Sequence, residues 1–148
     1  MVPLSKDRFK QVTGVFLILR RANQILLARR FQTGYGDGEF SFPAGHLEEG
    51  ESILTALVRE SKEEIGVTID PFRCHFVHVL HLLTNRASTN FFFEVKEWDG
   101  VPTICEPDKC DELRWVDIDD LPDNTIDYIR EVIDCYKNQI SYHEIGWE

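Results

Sequence analysis

No apolar run in this chain is long enough to cross a bilayer: the longest, Val15 to Leu19, falls well short of the roughly 20 residues a spanning helix needs. It is also too short for a signal-peptide core, so the expectation is a cytoplasmic protein with no membrane partner. Cysteine is scarce. The four thiols, Cys74, Cys105, Cys110 and Cys135, stand in no C-x-x-C pair and at no tidy zinc spacing, which argues against a disulfide framework and for reduced thiols. Positive charge is short as well. Lys and Arg number 16 against 26 Asp and Glu, a net charge of −10, and a nucleic acid polymer needs the basic face that this balance withholds.

What is present is ordinary for a soluble protein: 148 residues, 43% hydrophobic and 28% charged. That is enough chain to bury a core, and one globular domain over residues 1–148 is expected, as a monomer or homodimer. The charge is uneven. Residues 1–50 hold seven Lys/Arg against five Asp/Glu, while residues 51–148 hold nine against twenty-one. A local basic patch inside an acidic protein leaves room for a small anionic ligand.

Along the chain, Val12–Arg20 and Gln24–Arg30 are β-branched and aromatic runs joined by Arg21-Ala22-Asn23, the pattern of a β-hairpin. Three glycines within Thr33–Gly38 mark a loop, and Glu39–Phe42 reads as a short strand ended by Pro43. From Ser52 to Ile65 the apolar residues Ile53, Leu54, Leu57, Val58 and Ile65 recur at helical spacing, with Gly66 placed to stop the helix. Arg73–Thr84, Asn90–Val95 and Glu112–Val116 read as strands. A last helix is predicted over Asn124–Asn138, burying Ile126, Ile129, Val132, Ile133 and Tyr136. Strands on both sides of one helix, followed by a C-terminal helix, predict an α/β fold with a mixed sheet covered on both faces.

One stretch carries chemistry. Glu60, Glu63 and Glu64 stand at i, i+3 and i+4 of the predicted helix, and at about 100° per residue they share one sector of its surface. An isolated acidic helix face is usually just solvated. Three like charges this close repel, however, and the arrangement makes physical sense with cations between them. Oxygen ligands with room for waters and phosphate oxygens point to Mg²⁺ or Mn²⁺ rather than zinc.

The surroundings favour the metal. Gly45, five residues, Glu51, seven residues, Arg59-Glu60, then Glu63-Glu64, Gly66 and Val67 resemble the Nudix box, G-x5-E-x7-R-E-U-x-E-E-x-G-U with U a bulky aliphatic residue. Eight of its nine fixed positions are met. Ser61 departs from the pattern; it stands one turn after Leu57 on the apolar stripe, so a small effect on packing and intact chemistry are expected. The predicted hairpin, the glycine-rich loop, Phe42-Pro43 and the Leu121-Pro122 turn extend the resemblance over most of the chain.

That resemblance implies a Nudix-type α/β/α sandwich with a loop-helix-loop that binds divalent metal. Its ligands would be Glu60 and Glu64, with Glu63 directly or through water and the backbone carbonyl of Ala44. Arg59 would orient the carboxylates, and Glu51 would organise the loop. An activated water would attack a phosphorus of a nucleoside-diphosphate-type substrate while metal neutralises the charge that gathers on the phosphate oxygens. The family varies in its general base: Glu60 or Glu63 is one option, and a carboxylate from a later loop, Glu106 or Glu112, is the other.

For the substrate, no proline or tyrosine lies between Pro71 and Pro102, where other branches of the family commonly carry one. The chain is most similar to the MutT type, which acts on nucleoside triphosphates, oxidised purine nucleotides among them, releasing the monophosphate and pyrophosphate. ADP-ribose or nucleotide-sugar hydrolysis and a non-catalytic nucleotide sensor are the alternatives. Substrate contacts are expected from Arg29 or Arg30, which alternate between the two faces of a strand, and from Phe42. Asn124 either reads a base or caps the last helix. His75, His78 and His81 form no metal cluster on a strand, because His78 points away from the other two. Phe91-Phe92-Phe93 and Trp115 read as core.

Overall fold

The computed structural model describes residues 8–148. Among the described residues there are eight strands: β1 (Val12–Arg21), β2 (Gln24–Arg30), β3 (Phe40–Ser41), β4 (Ala44–His46), β5 (His75–Leu83), β6 (Ala87–Val95), β7 (Cys110–Asp117) and β8 (Tyr142–Ile145). Two helices join them, α1 (Ile53–Ile65) and α2 (Asp127–Lys137). The sheet runs β3-β2-β1-β6-β5-β8, with β4 on β1 and β7 on β2. It is mixed: β1 is parallel to β6 and β5 to β8, and the other pairs are antiparallel.

The continuous apolar run of β1 is explained by burial on both faces. Val15, Leu17 and Leu19 point to one side, where they meet Ala56, Leu57 and Ile65 of α1. Phe16 and Ile18 point to the other, where Ile129, Val132 and Ile133 of α2 cover them. The three phenylalanines of β6 divide in the same way: Phe92 faces α2, and Phe91 and Phe93 face α1. The expected α/β/α layering is therefore the observed one. Among the described residues no helix is long and apolar enough to cross a membrane.

The β1–β2 hairpin holds register only beside its turn, at Arg20↔Ile25 and Arg21↔Gln24. Beyond that point the strands part. β1 continues against β4 and β6, while β2 continues against β3 and β7. The parting leaves Phe16 on one strand and Ala28 to Arg30 on the other to line a shared cavity.

Local signals set the ends of α1. Ser52 is extended and its Oγ accepts from the Thr55 amide (3.1 Å), and Gly66 closes the helix in the left-handed region at φ 73°. The last helix differs from expectation. It starts at Asp127, not Asn124, and has no side-chain cap, because the chain before it is spent on another partner. The Phe40 amide donates to the Asn124 carbonyl and the Ile126 amide to the Phe40 carbonyl (2.8 and 3.0 Å), an extended bridge incompatible with a helical turn. The cap expected from Asn124 is therefore not made. β4 and β8 have no counterpart in the predicted elements; both are short and exist through partners far away in sequence.

Ser61 is buried at 2% exposure on the α1 stripe, and its hydroxyl donates back to the Leu57 carbonyl (2.7 Å). That carbonyl is already a helix acceptor, so losing the hydroxyl orphans nothing. We expect Ser61→Ala to change stability by less than about 1 kcal/mol. Ser61→Leu should leave the melting temperature unchanged or raise it; a fall of more than roughly 8 °C in a thermal melt would show that the stripe has no space for an aliphatic residue.

Candidate active site

The Arg59 guanidinium is the hub of the loop-helix-loop. Its Nε and Nη2 bind both oxygens of Glu51 (2.6 and 2.9 Å), Nη1 binds Glu60 (2.6 Å) and Glu63 (3.1 Å), and Nη2 also reaches the His46 carbonyl (3.1 Å). These bonds tie α1 to the loop before it and to β4. They also hold the Glu51 carboxyl down to about 2, through the Arg59 hydrogen bonds first and the Glu48 amide second. Glu51 thus ties the loop before α1 to Arg59 on the helix.

Glu60 and Glu64 line the cavity; Glu63 does not, and its side chain is 53% exposed on the Arg59 side. Burial pushes the Glu64 carboxyl up to about 8, and the neighbouring charges of Glu60 and Glu106 push the same way against the Ala44 amide, which donates to Glu64 Oε2 (3.0 Å). Glu60 is also raised, by burial first, although Arg59 opposes the shift. Gly45 makes room for this packing. A Cβ at that position would lie 2.0 Å from Glu60 Cδ, so only glycine lets β4 and the Glu60 side chain approach this closely.

The cavity measures about 890 Å³, a size suited to a nucleotide. Glu60, Glu64 and Glu106 contribute to it together with Ala44, and these oxygen donors crowded around one buried carboxyl fit a hard divalent cation. Cations also line it: Arg29, Arg30, Arg86 and Lys109. Arg29 and Arg30 were expected on opposite faces of β2, yet both reach the cavity, because the β2–β7 register shifts between them. Arg29 is held by Asp111 (2.7 and 2.8 Å), and Arg30 by the Tyr35 carbonyl and Thr33.

Of the two later carboxylates, Glu106 lines the cavity, whereas Glu112 pairs with Arg114 (2.8 Å) outside it. Phe42 is 2% exposed and meets Phe92 edge-on (centroids 6.1 Å), so it forms the cavity wall and offers no free face. Asn124 does not line the cavity, and its amide donates to the Gly38 carbonyl (2.8 Å). Phe42 therefore meets the cavity as wall, with no free face for stacking, and base reading by Asn124 has no geometric support.

Several cavity residues carry no local signal in the sequence. Arg86 lies in the β5–β6 turn, 3.3 Å from His46 Nε2, and makes no ion pair among the described residues. Burial, with Arg86 and Arg30 nearby, lowers the His46 pKa. Lys109, Tyr35 and Tyr128 arrive from three separate segments. Only the fold could have named them.

Residues 8–134 match the model of the NUDIX domain, and the chain belongs to that family. Over 111 residues it is 32% identical to the 8-oxo-dGTP diphosphatase of Escherichia coli strain K12, covering 74% of this chain and 85% of that protein. It is also 32% identical over 115 residues to the NAD-capped RNA hydrolase NudC of Stutzerimonas stutzeri, covering 74% of this chain but 37% of that longer protein. The fold is similar to that of the MutT NUDIX hydrolase from Burkholderia pseudomallei, with a TM-score of 0.79 at 23% identity over 85% of this chain and 98% of that one. The chain is thus a MutT-like Nudix hydrolase, a pyrophosphatase of phosphoanhydride bonds in nucleotides, and its family uses divalent metal ions.

Two measurements probe this geometry. Gly45→Ala should displace Glu60 and lower kcat/KM by on the order of 10²-fold while circular dichroism stays native; unaltered activity would mean that Glu60 has no need of its position. The second concerns pH. A folded-state pKa near 8 against an ordinary 4.5 makes Glu64 least costly below pH 4.5, and stability is lost as pH rises towards 8. In chelator, the wild-type melting temperature should therefore carry a downward contribution across that window that Glu64→Gln removes and divalent cation offsets. An identical pH profile for Glu64→Gln would reject the burial argument.

Proposed function

We propose that this enzyme hydrolyses a nucleoside triphosphate, oxidised purine nucleotides included, to the monophosphate and pyrophosphate with Mg²⁺ as its cofactor. The observation that carries the reading is the shared cavity, lined by the carboxylates Glu60, Glu64 and Glu106 together with the cations Arg29, Arg30, Arg86 and Lys109. The similarity to 8-oxo-dGTP diphosphatase supports the substrate class.

In this reading Glu60, Glu64 and the Ala44 carbonyl hold the ion, and Glu63 contributes through water. A bound divalent cation supplies charge neutralisation on the phosphate oxygens and makes a coordinated water more acidic. Arg59 fixes the rotamer of Glu60 through a 2.6 Å charge-assisted bond and keeps Glu63 beside it. Because that bond occupies Glu60, Glu106, a cavity carboxylate whose charge acts on both Glu60 and Glu64, would take the proton of the attacking water. Arg86, without a carboxylate partner, and Lys109 meet the phosphates, with Arg29 and Arg30 as the further cationic contacts. Tyr35 is 48% exposed and its ring is backed by Arg30 (5.7 Å), which makes it a platform for the base.

The test is a hydrolysis screen of the purified chain against nucleoside triphosphates, oxidised purine triphosphates, ADP-ribose and nucleotide sugars, with Mg²⁺ and with chelator. Pyrophosphate release from a triphosphate, dependent on Mg²⁺, is the expected result. Glu64→Gln should lower kcat by on the order of 10²-fold or more with the fold retained, and Glu106→Gln should lower kcat far more than KM. Turnover of ADP-ribose alone would overturn the substrate, and full turnover by Glu64→Gln would overturn the metal ligands.

A further inference from the structure

A second cluster lies outside the cavity, where β5, α2 and β8 meet. His78 of β5 is fully buried, edge-on to Phe92 (centroids 6.0 Å), and Cys135 of α2 and His143 of β8 are partly buried beside it. One donor atom from each of the three lies within 4.8 Å of the others.

The proton positions in this cluster follow from its bonds. His78 Nδ1 is 2.8 Å from the Ile140 carbonyl, which can only accept, so Nδ1 carries hydrogen. Burial lowers the pKa of both imidazoles, and neutral His78 therefore presents a bare lone pair at Nε2. His143 Nδ1, 2.7 Å away, must donate to it. The remaining nitrogen, His143 Nε2, is then also a bare lone pair, and it is buried with no hydrogen-bond partner among the described residues. A buried acceptor facing no donor is costly; a cation would relieve it.

We propose that His78, Cys135 and His143 form a second metal site, taking a borderline-soft transition-metal ion such as Zn²⁺. Two imidazoles and a thiolate select that class over Mg²⁺, so the site is chemically distinct from the carboxylate cluster. His78 binds through Nε2 while its Nδ1–H stays on the Ile140 carbonyl, the arrangement that fixes the tautomer of a ligating histidine. His143 releases its bond to His78 and its ring turns to bring the unprotonated nitrogen to the ion. Cys135 gives its thiol proton to solvent, and no electrons change hands. Glu131, one helical turn before Cys135 and acting electrostatically on both His143 and Cys135, or a water completes the four ligands. The ion would clamp β8, which among the described residues pairs only with β5, onto α2.

The probe is Co²⁺, titrated into the full chain in reducing buffer with excess Mg²⁺ present. The expected result is one Co²⁺ per chain with a thiolate-to-cobalt charge-transfer band, displaced by Zn²⁺. Cys135→Ser should abolish the band, His143→Asn should weaken Co²⁺ binding by at least about tenfold, and Glu64→Gln should leave the band in place. Should Cys135→Ser fail to fold, protection of Cys135 by Zn²⁺ against alkylation, read by peptide mass spectrometry on the wild type, decides instead. No band in the wild type, a band that survives in folded Cys135→Ser, its loss in Glu64→Gln, or an unprotected Cys135 would overturn the proposal.

Discussion

The bond between Arg59 and the carboxylates around it is the interaction on which the candidate site rests. One guanidinium spans Glu51 in the loop, Glu60 and Glu63 on α1, and the His46 carbonyl on β4. Without it, three segments from different layers would have no common partner. The Arg59 fork suits this task because its planar donors satisfy a carboxylate in pairs while leaving others for a second one. Its side chain is only 22% exposed, so these contacts are less screened than a surface ion pair.

That clamp permits an arrangement which is unfavourable by itself. Glu64 is driven towards its neutral form by burial and by Glu60 and Glu106, and the surrounding fold holds it there. The strain makes a site that gains from cation binding, since an ion favours the charged carboxylates that burial disfavours. Gly45 belongs to the same device: its missing Cβ is the space occupied by Glu60. On the opposite wall, the parting of β1 from β2 turns the arginines of β2 towards the same cavity. Carboxylates and cationic side chains therefore come from different elements and meet in one cavity where the hairpin opens.

The layers behind the cavity connect it to the rest of the molecule. Phe16 stacks on Phe92 at 4.4 Å, and Phe42 and His78 both meet Phe92 edge-on. One aromatic layer thus separates the cavity wall from the histidine and cysteine cluster beneath α2. Rigid side-chain packing of this kind holds a site to its geometry.

Much of this was legible from residue order alone, because the responsible interactions are local. The helix period brought Glu60 and Glu64 to one cavity, although Glu63 turns to Arg59 and solvent; Ser52 and Gly66 set the ends of α1, and the unbroken apolar run of β1 required two covered faces. Other features depend on partners remote in the chain. Asn124 fails to cap α2 since Phe40 takes its backbone; Phe42 is consumed by Phe92; and a register shift against β7 brings Arg29 and Arg30 to one side. Arg86, Lys109, Tyr35 and Tyr128, like the meeting of His78 with Cys135 and His143, became neighbours only through the fold. Spacing along a strand or helix dictates which side chains share a face, whereas the partner of that face is chosen by strand pairing and layer packing, whose energies belong to the assembled structure.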